Sequence, residues 1–247
     1  MSLPRTRLDK AERLSSDVWV LDTRESHHLM HVRRCRIGDE VEGLLEGRKL
    51  LLVIEGYKDG RVIAREIDKL PLSRIKIRTT LLVALVKSNA FEDMLSHVTE
   101  LGVSEIIPLL AERCIVKLKG DIKRKEARWE RIIDEATKVS GISSHPVLHE
   151  PSRISDLEAE MLPPLRLFGA LTDNARPLGQ IRIVGQKDVA FAVGPEGDWT
   201  EEEMSLFLKA DFIPVSLGPN ILRTNTAAVA GLSYIILSAE GVSSCDH

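Results

Sequence analysis

The spacing of hydrophobic and polar positions divides the chain into two parts. In residues 17–70, short aliphatic runs alternate with glycines, and these runs are Val41–Leu45, Leu50–Tyr57 and Val62–Ile67. Such runs predict short strands joined by turns. The Lys58–Gly60 run fits a hairpin turn between the last two strands. This part of the sequence therefore predicts a small β-barrel or sandwich.

Beyond Pro71, apolar strand-like runs alternate with helical segments, which is typical of an α/β domain with a largely parallel sheet. The predicted strands are Ile75–Val86, Ile106–Leu110, Leu165–Leu171 and Val189–Val193. The predicted helices are one with apolar positions at Phe91, Met94, Leu95 and Val98, one from Asp121 to about Val139, and one from about Thr226 to Ala239. Thr200 and Glu203 fit a capping box for a further helix. We expect two domains, 1–71 and 72–247.

The composition is that of a globular protein with a substantial core, with 43% hydrophobic and 29% charged residues. No apolar run reaches membrane-spanning length, and the N-terminus is too charged for a secretory signal. We therefore expect a cytoplasmic protein with no membrane partner. Cys35, Cys114 and Cys245 are far apart, so neither a disulfide framework nor a zinc ribbon is indicated.

Two glycine-bearing loops each follow an apolar strand, at Gly194–Gly197 and at Leu217–Thr224. Glycines at strand ends allow a ligand to approach the backbone, and ligands bind at strand ends in open α/β sheets. Neither loop matches a phosphate loop or a dinucleotide fingerprint. Spacing alone leaves ordinary turns and ligand-binding loops equally open.

The two loops taken together resemble the paired signature of the 16S ribosomal RNA uridine-N3 methyltransferases, a family of the SPOUT superfamily. The residues that carry it are Gly194-Pro195-Glu196-Gly197 and Leu217-Gly218-Pro219 followed by Ile221-Leu222-Arg223-Thr224, Thr226 and Ala227. The resemblance extends to Thr99–Val103, Ile107–Leu109, Glu112–Cys114, Trp129 with Ile132, and Gly38–Asp39. It covers nearly the whole chain.

This resemblance implies an N-terminal PUA-like β-barrel that grips RNA and a C-terminal α/β domain with a trefoil knot. It also implies S-adenosylmethionine as cofactor, a homodimer, and small-subunit ribosomal RNA or an assembled small-subunit particle as substrate. The cofactor residues that it implies, mostly through backbone atoms, are Leu171, Thr172, Gly194, Pro195, Glu196, Gly197, Leu217, Gly218, Ile221, Leu222, Thr224 and Thr226. We expect no metal, because no cluster of metal ligands stands out.

Arg223 is the candidate catalytic residue. The N3 atom of uracil becomes nucleophilic when its proton leaves and charge spreads onto the flanking carbonyl oxygens, and a guanidinium can stabilise that charge. The alternative is a structural ion pair, because many arginines are simply paired.

Two basic stretches are candidate RNA contacts, because the formal net charge of −3 requires local patches. The first holds Arg24, Arg33, Arg34 and Arg36, and the second runs from Arg113 to Lys138 with Arg113, Lys117, Arg124 and Arg128. The alternative for the second is a solvated helix face of mixed charge. His27 and His31 lack the context of a metal site, and Trp199 is the aromatic residue expected near a ligand.

Several positions depart from the family pattern. Asn225 stands where a Glu is usual, Val139 and Ile142 replace Gln and Arg, Asn220 replaces Arg, Asp198 replaces Gly, and His97 replaces Lys. A second interpretation is therefore a non-catalytic or retargeted RNA-binding or ribosome-assembly protein. A third is methylation of another base or of a ribose hydroxyl. In a homodimer, we expect the last helix to contribute through the small residues Ala227, Ala228, Ala230 and Gly231.

Overall fold

The computed structural model describes residues 3–72, 75–114 and 122–240. The chain forms two compact units, one of Met1–Arg74 with Thr137–His145, and one of Ile75–Ala136 with Pro146–His247. The segment 137–145 therefore belongs with the N-terminal residues, although it lies far along the chain.

The first unit contains a six-stranded sheet. Its strands are β1 (Arg5–Arg7), β2 (Glu12–Arg13), β3 (Val18–Val20), β4 (Glu40–Leu45), β5 (Arg48–Lys58) and β6 (Arg61–Leu70), with helix α1 (Thr23–His27) and a π-helix (His28–Val32) between β3 and β4. The order is β1-β4-β5-β6-β3-β2, with β1 parallel to β4 and the other pairs antiparallel. Over the described residues β1 and β2 are opposite edges of an open sheet, so the predicted closed barrel is not confirmed.

The predicted hairpin between β5 and β6 is confirmed. Lys58 pairs with Arg61, which leaves Asp59 and Gly60 as a two-residue turn. Both have positive φ, 52° and 72°, as a turn that matches the twist of the two strands requires. Alternate residues of β5, such as Leu52, are buried in the core of this unit.

A buried ion pair lies within the first unit. Nζ of Lys138 is 3.0 Å from Oε1 of Glu25, and both residues are almost completely buried. The other carboxylate oxygen of Glu25 accepts hydrogen bonds from Oγ1 of Thr6 (2.9 Å) and from the backbone N–H of Arg7 (3.0 Å). Buried charges need such partners. Lys138, the predicted end of the second basic stretch, is therefore not part of an exposed patch.

The second unit contains a seven-stranded, fully parallel sheet. Its strands are β7 (Arg78–Ala84), β8 (Glu105–Leu109), β9 (Val147–Leu148), β10 (Leu165–Gly169), β11 (Arg176–Pro177), β12 (Asp188–Val193) and β13 (Ile213–Ser216), and the remaining helices are α2 (Ser88–Glu100), α3 (Ile122–Ser140), α4 (Glu201–Lys209) and α5 (Thr224–Glu240). The order is β11-β13-β10-β12-β7-β8-β9. The α/β prediction is confirmed. Among the described residues, no helix is both long and apolar enough to cross a membrane.

Helices cover both faces of the parallel sheet. On one face, α2, α3 and α5 contribute Phe91, Trp129 and Leu232 to a single buried cluster. The rings of Phe91 and Trp129 lie 4.8 Å apart. On the other face, Phe207 of α4 packs with Phe168 and Trp199. Phe91, Trp129 and Phe207 are thus core residues of this unit.

The small residues of α5 are used within the chain. A Cβ atom at Gly231 would lie 2.2 Å from Cε1 of Phe191 on β12, so the helix backbone packs directly on that ring. Ala227 and Ala228 are also buried in this core, and only Ala230 of the four is exposed. Ala227, Ala228 and Gly231 therefore allow α5 to pack closely on its own sheet, and the contribution of this helix to a dimer interface stays a prediction.

Candidate functional site

A pocket lies where three neighbouring strands end. β13, β10 and β12 are adjacent and parallel, so their carboxyl ends meet at one edge of the sheet. The loops that follow them, together with the start of α5, form the pocket. Its lining residues are Gly169, Ala170, Leu171, Val193, Gly194, Pro195, Glu196, Asp198, Val215, Ser216, Leu217, Gly218, Asn220, Ile221, Leu222, Thr224 and Ala227.

The loop after β12, residues 194–198, is a tight turn. The backbone N–H of Asp198 donates to the carbonyl of Pro195 (3.0 Å), and Asp198 has φ of 57°. Oδ2 of Asp198 accepts a long hydrogen bond of 3.4 Å from the backbone N–H of Leu171. The Asp198 side chain thus connects this loop to the loop after β10.

The Trp199 side chain packs against the loops after β10 and β12, on the core side of the pocket. Its Nε1 donates to the carbonyl of Gly169 (2.9 Å), and a Cβ at Gly194 would lie only 3.1 Å from its ring. The residue is 1% exposed and does not line the pocket. Trp199 thus lies directly behind the lining residues Gly169 and Gly194, and its expected place near a ligand stays a prediction.

The helix start predicted after this loop is confirmed. Oγ1 of Thr200 accepts from the backbone N–H of Glu203, and Oε2 of Glu203 accepts from the backbone N–H of Thr200. This capping box satisfies backbone donors at the start of α4. It fixes the chain direction immediately after Trp199.

Arg113 also holds the loop after β12. Its Nη1 donates to the carbonyl of Gly197 (2.8 Å) and to the carbonyl of Trp199 (3.2 Å). The two bonds bracket Asp198. Arg113 is also exposed, and its predicted contact with RNA stays a prediction.

The loop after β13, residues 217–222, has fewer restraints. Within the described residues, no side chain from another element forms a hydrogen bond to it. Ile221 is 78% exposed, and Gly218 adopts φ of 127°, where no atom lies within 4 Å of a Cβ position. Oγ1 of Thr224, just beyond the loop, donates to the carbonyl of Gly194 (2.7 Å). This bond links the two glycine loops.

The structure brings most of the predicted cofactor residues together at this pocket. Those in its lining are Leu171, Gly194, Pro195, Glu196, Leu217, Gly218, Ile221, Leu222 and Thr224, whereas Thr172, Gly197 and Thr226 lie outside it. Sequence reasoning missed Gly169 and Ala170, because it extended the strand to Leu171 whereas β10 ends at Gly169. A third glycine at a strand end was the available signal.

Arg223 is exposed and immediately precedes α5. Its carbonyl accepts from the N–H of Ala227 (2.8 Å), so its backbone is fixed. Among the described residues, none forms a hydrogen bond or an ion pair with its guanidinium. The alternative of a structural ion pair therefore finds no partner in the described ranges.

The other predicted RNA residues lie on the surface of their units, apart from one that is not described. Arg24, Arg33, Arg34 and Arg36 are exposed in the first unit, and Arg124 and Arg128 are exposed on α3. Arg128 forms an ion pair of 2.6 Å with Glu92. Lys117 lies outside the described residues.

Two further chemistries find little support. The rings of His27 and His31 are 4.7 Å apart, but in the described ranges no three potential metal-ligating side chains cluster. Burial raises the pKa of both Cys35 and Cys114, which keeps each thiol protonated. Neither of these cysteines lines the pocket, and Cys245 lies outside the described residues.

Comparison with known proteins defines the chemistry of this fold. Residues 73–236, which include the whole pocket, match the RNA methyltransferase domain family. The chain belongs to this family. This methyltransferase is 33% identical to the ribosomal RNA small subunit methyltransferase E of Synechocystis sp. over 87% of its own length and 71% of the relative's. It is 27% identical to the protein of that name from Bacillus subtilis over 87% and 88% of the two lengths.

The solved structures agree with the sequence relatives. A ribosomal RNA small subunit methyltransferase E from Neisseria gonorrhoeae, bound to S-adenosyl methionine, superposes with a TM-score of 0.85 at 27% identity. The match covers 96% of this chain and 98% of that one. The family resemblance is thereby confirmed, and the non-catalytic interpretation is not favoured.

Proposed function

We propose that this methyltransferase transfers a methyl group from S-adenosylmethionine to N3 of a uridine in small-subunit ribosomal RNA. The observation that carries the proposal is the pocket at the ends of β10, β12 and β13, whose lining includes both glycine loops. The relatives from Synechocystis and Bacillus subtilis are named as small-subunit ribosomal RNA methyltransferases, and the Neisseria structure was solved with this cofactor.

The pocket residues suit this cofactor. Gly169, Gly194 and Gly218 line the pocket and let a ligand approach the backbone closely, so that backbone groups of the loops can bond the edge of an adenine and the ribose hydroxyls. Apolar side chains such as Val193 and Leu222 can cover the flat faces of the base. Glu196 and Asp198 suit a ligand with cationic groups. When bound, S-adenosylmethionine supplies an electrophilic methyl group on a sulfonium sulfur.

Arg223 is the proposed catalytic residue. Loss of the N3 proton leaves negative charge on the uracil carbonyl oxygens, and the planar fork of a guanidinium donates to such oxygens while keeping its own charge. Arg223 adjoins the pocket, its backbone is fixed at the start of α5, and its side chain is exposed. It therefore meets the requirements for orienting the base and stabilising the charge.

The finer architecture is also part of the proposal. We assign residues 1–71 to a PUA-like domain that grips RNA through Arg24, Arg33, Arg34 and Arg36, supported by their exposure. Residues 72–247 would form the trefoil-knotted domain that the family resemblance implies. We further assign the protein as a cytoplasmic homodimer that acts on the RNA or on an assembled small-subunit particle. Light scattering at micromolar concentration tests the dimer.

A transfer assay tests the function. Labelled S-adenosylmethionine is incubated with the protein and with small-subunit RNA or particles that lack the modification, and the product nucleoside is mapped. We expect label at N3 of one uridine, and parallel reactions with naked RNA and particles identify the substrate form. Label on another base or on a ribose hydroxyl would contradict the uridine assignment. Cofactor binding without transfer to any RNA or particle would restore the non-catalytic interpretation.

A further inference from the structure

The charged side chains that line the pocket are of one sign. Its described lining contains Glu196 and Asp198 and no Lys, Arg or His. Neither carboxylate forms an ion pair with any described residue. The nearby guanidinium of Arg113 is engaged with the carbonyls of Gly197 and Trp199. Within the described ranges, the two negative charges at the pocket therefore form no ion pair with a positive side chain.

The two carboxylates differ in how firmly they are held. Glu196 is exposed, and no described group forms a hydrogen bond with its side chain. Asp198 is half-buried, and its carboxylate accepts from the backbone N–H of Leu171, which also lines the pocket. Its backbone is fixed by the bond to Pro195 and by the two Arg113 bonds on either side. Asp198 thus presents a charge at a defined position in a partly dry site, where electrostatic effects are strongest.

The proposed cofactor and its product differ in charge. S-adenosylmethionine carries a sulfonium cation that becomes a neutral thioether in S-adenosylhomocysteine, while the rest of the molecule is unchanged. A fixed carboxylate lowers the free energy of the cation and does little for the thioether. We propose that Asp198 is a specificity-determining residue that makes the pocket prefer S-adenosylmethionine over S-adenosylhomocysteine and so favours product release. This inference rests on the proposed function.

Calorimetry of the intact protein with each ligand tests the proposal, using Asp198→Asn as the main variant. Asparagine keeps an acceptor for the Leu171 N–H and tolerates positive φ, but it removes the charge. We expect S-adenosylmethionine to bind roughly threefold to tenfold more weakly, the size of a Coulomb effect in a partly hydrated site. Affinity for S-adenosylhomocysteine should change less than about twofold. Sinefungin, which carries an amine in place of the sulfonium, should follow S-adenosylmethionine.

Two further variants keep the test decisive. Glycine also tolerates positive φ, so Asp198→Gly serves as a second variant if Asp198→Asn disturbs the fold. It should likewise reduce the preference for S-adenosylmethionine over S-adenosylhomocysteine. Glu196→Gln removes the exposed carboxylate of the same pocket and should shift the affinity ratio less than Asp198→Asn does. An equal shift in both variants would overturn the assignment to Asp198. Equal weakening of both ligands by Asp198→Asn would mean that the side chain only positions Leu171.

The two proposals fail in different ways. If the unmodified protein binds neither ligand, the proposed function is wrong and this inference falls with it. If it binds both, and the ratio of the two dissociation constants is the same in the protein and in Asp198→Asn, only the inference is wrong. Raising the ionic strength should also reduce the preference in the unmodified protein, because salt screens partly exposed charges.

Discussion

The two glycine loops of the pocket are held in contrasting ways. The loop at 194–198 is fixed by the Arg113 bonds to two carbonyls, by the Trp199 ring beneath Gly194 and by the bond from Thr224 to Gly194. The loop at 217–222 receives no such bond from the described residues, and Ile221 in it is largely exposed. The loop at 194–198 is therefore fixed before a ligand binds, whereas the loop at 217–222 can change its conformation on binding.

This difference separates binding from catalysis. A loop that is already ordered loses little conformational entropy when the ligand binds. A loop that becomes ordered only on binding offsets part of the binding free energy with that entropy loss. We infer that the fixed loop mainly sets cofactor affinity, and that the open loop with Arg223 mainly affects the chemical step. Each of the following substitutions tests one part of this contrast.

The largest effect should come from Arg223, beside the open loop. We expect Arg223→Ala to slow single-turnover methyl transfer by roughly a hundredfold, because charge stabilisation in the transition state is lost. Cofactor affinity should hardly change, and Arg223→Lys should rescue poorly because a point charge lacks the planar fork. Arg182→Ala, which removes an exposed arginine outside the pocket and outside both basic stretches, is the matched control. Loss of cofactor affinity and melting temperature with an intact rate would make Arg223 structural.

Arg113 should give the next largest effect, and on binding. Arg113→Ala removes both donors to the fixed loop, so we expect S-adenosylmethionine to bind about tenfold more weakly, the equivalent of one or two hydrogen bonds. Calorimetry measures this change, and a binding assay with small-subunit RNA runs in parallel. If RNA affinity fell while cofactor affinity was unchanged, Arg113 would be the RNA contact that its sequence context predicted.

Thr224 tests the link between the two loops. Thr224→Val keeps the side-chain shape but leaves the Gly194 carbonyl without its donor, at a cost of about 1 kcal/mol in the free energy of unfolding. We expect a few-fold loss of cofactor affinity as well. Ser238→Ala is the control, because Ser238 also lies on helix α5 but outside the pocket. Similar effects of both substitutions would show that helix α5, and not the bond to Gly194, is responsible.

The smallest effect should come from the side of the sheet opposite the pocket, at the amino ends of β7 and β8. Partial burial would raise the pKa of Glu105, but hydrogen bonds from His149 and Arg78 outweigh it and hold this pKa below its usual value. The stabilisation is therefore present above the usual pKa of about 4.3 and is lost as the pH falls through the lower folded-state pKa.

Glu105→Gln should remove this acid sensitivity. We expect a loss of a few tenths of a kcal/mol near neutral pH, since Arg78 is largely exposed, and a flatter stability curve in acid. Denaturant unfolding at a series of pH values measures both. Cofactor affinity should be unchanged, because the pocket lies at the carboxyl ends of the strands. If Glu105→Gln changed the cofactor affinity, the two pocket loops would be coupled to the amino ends of β7 and β8.

The sequence by itself determined the elements and the identity of the two loops. Aliphatic runs predicted β7, β8, β10 and β12 because buried strands of a parallel sheet exclude polar residues from both faces. The two glycine motifs, compared with a known family, identified the methyltransferase fold and most of the pocket lining. These features depend on neighbours along the chain, which a sequence displays directly.

Only the tertiary structure decided which side chains serve the pocket and which serve the core. Trp199 lies under the loops, Lys138 pairs with Glu25, Gly231 packs on Phe191, and Arg113 bonds the backbone of a loop more than eighty residues away in sequence. Each of these contacts joins residues that are distant in the chain. Residue type and local spacing cannot reveal such partners, because sheet order and helix packing bring them together.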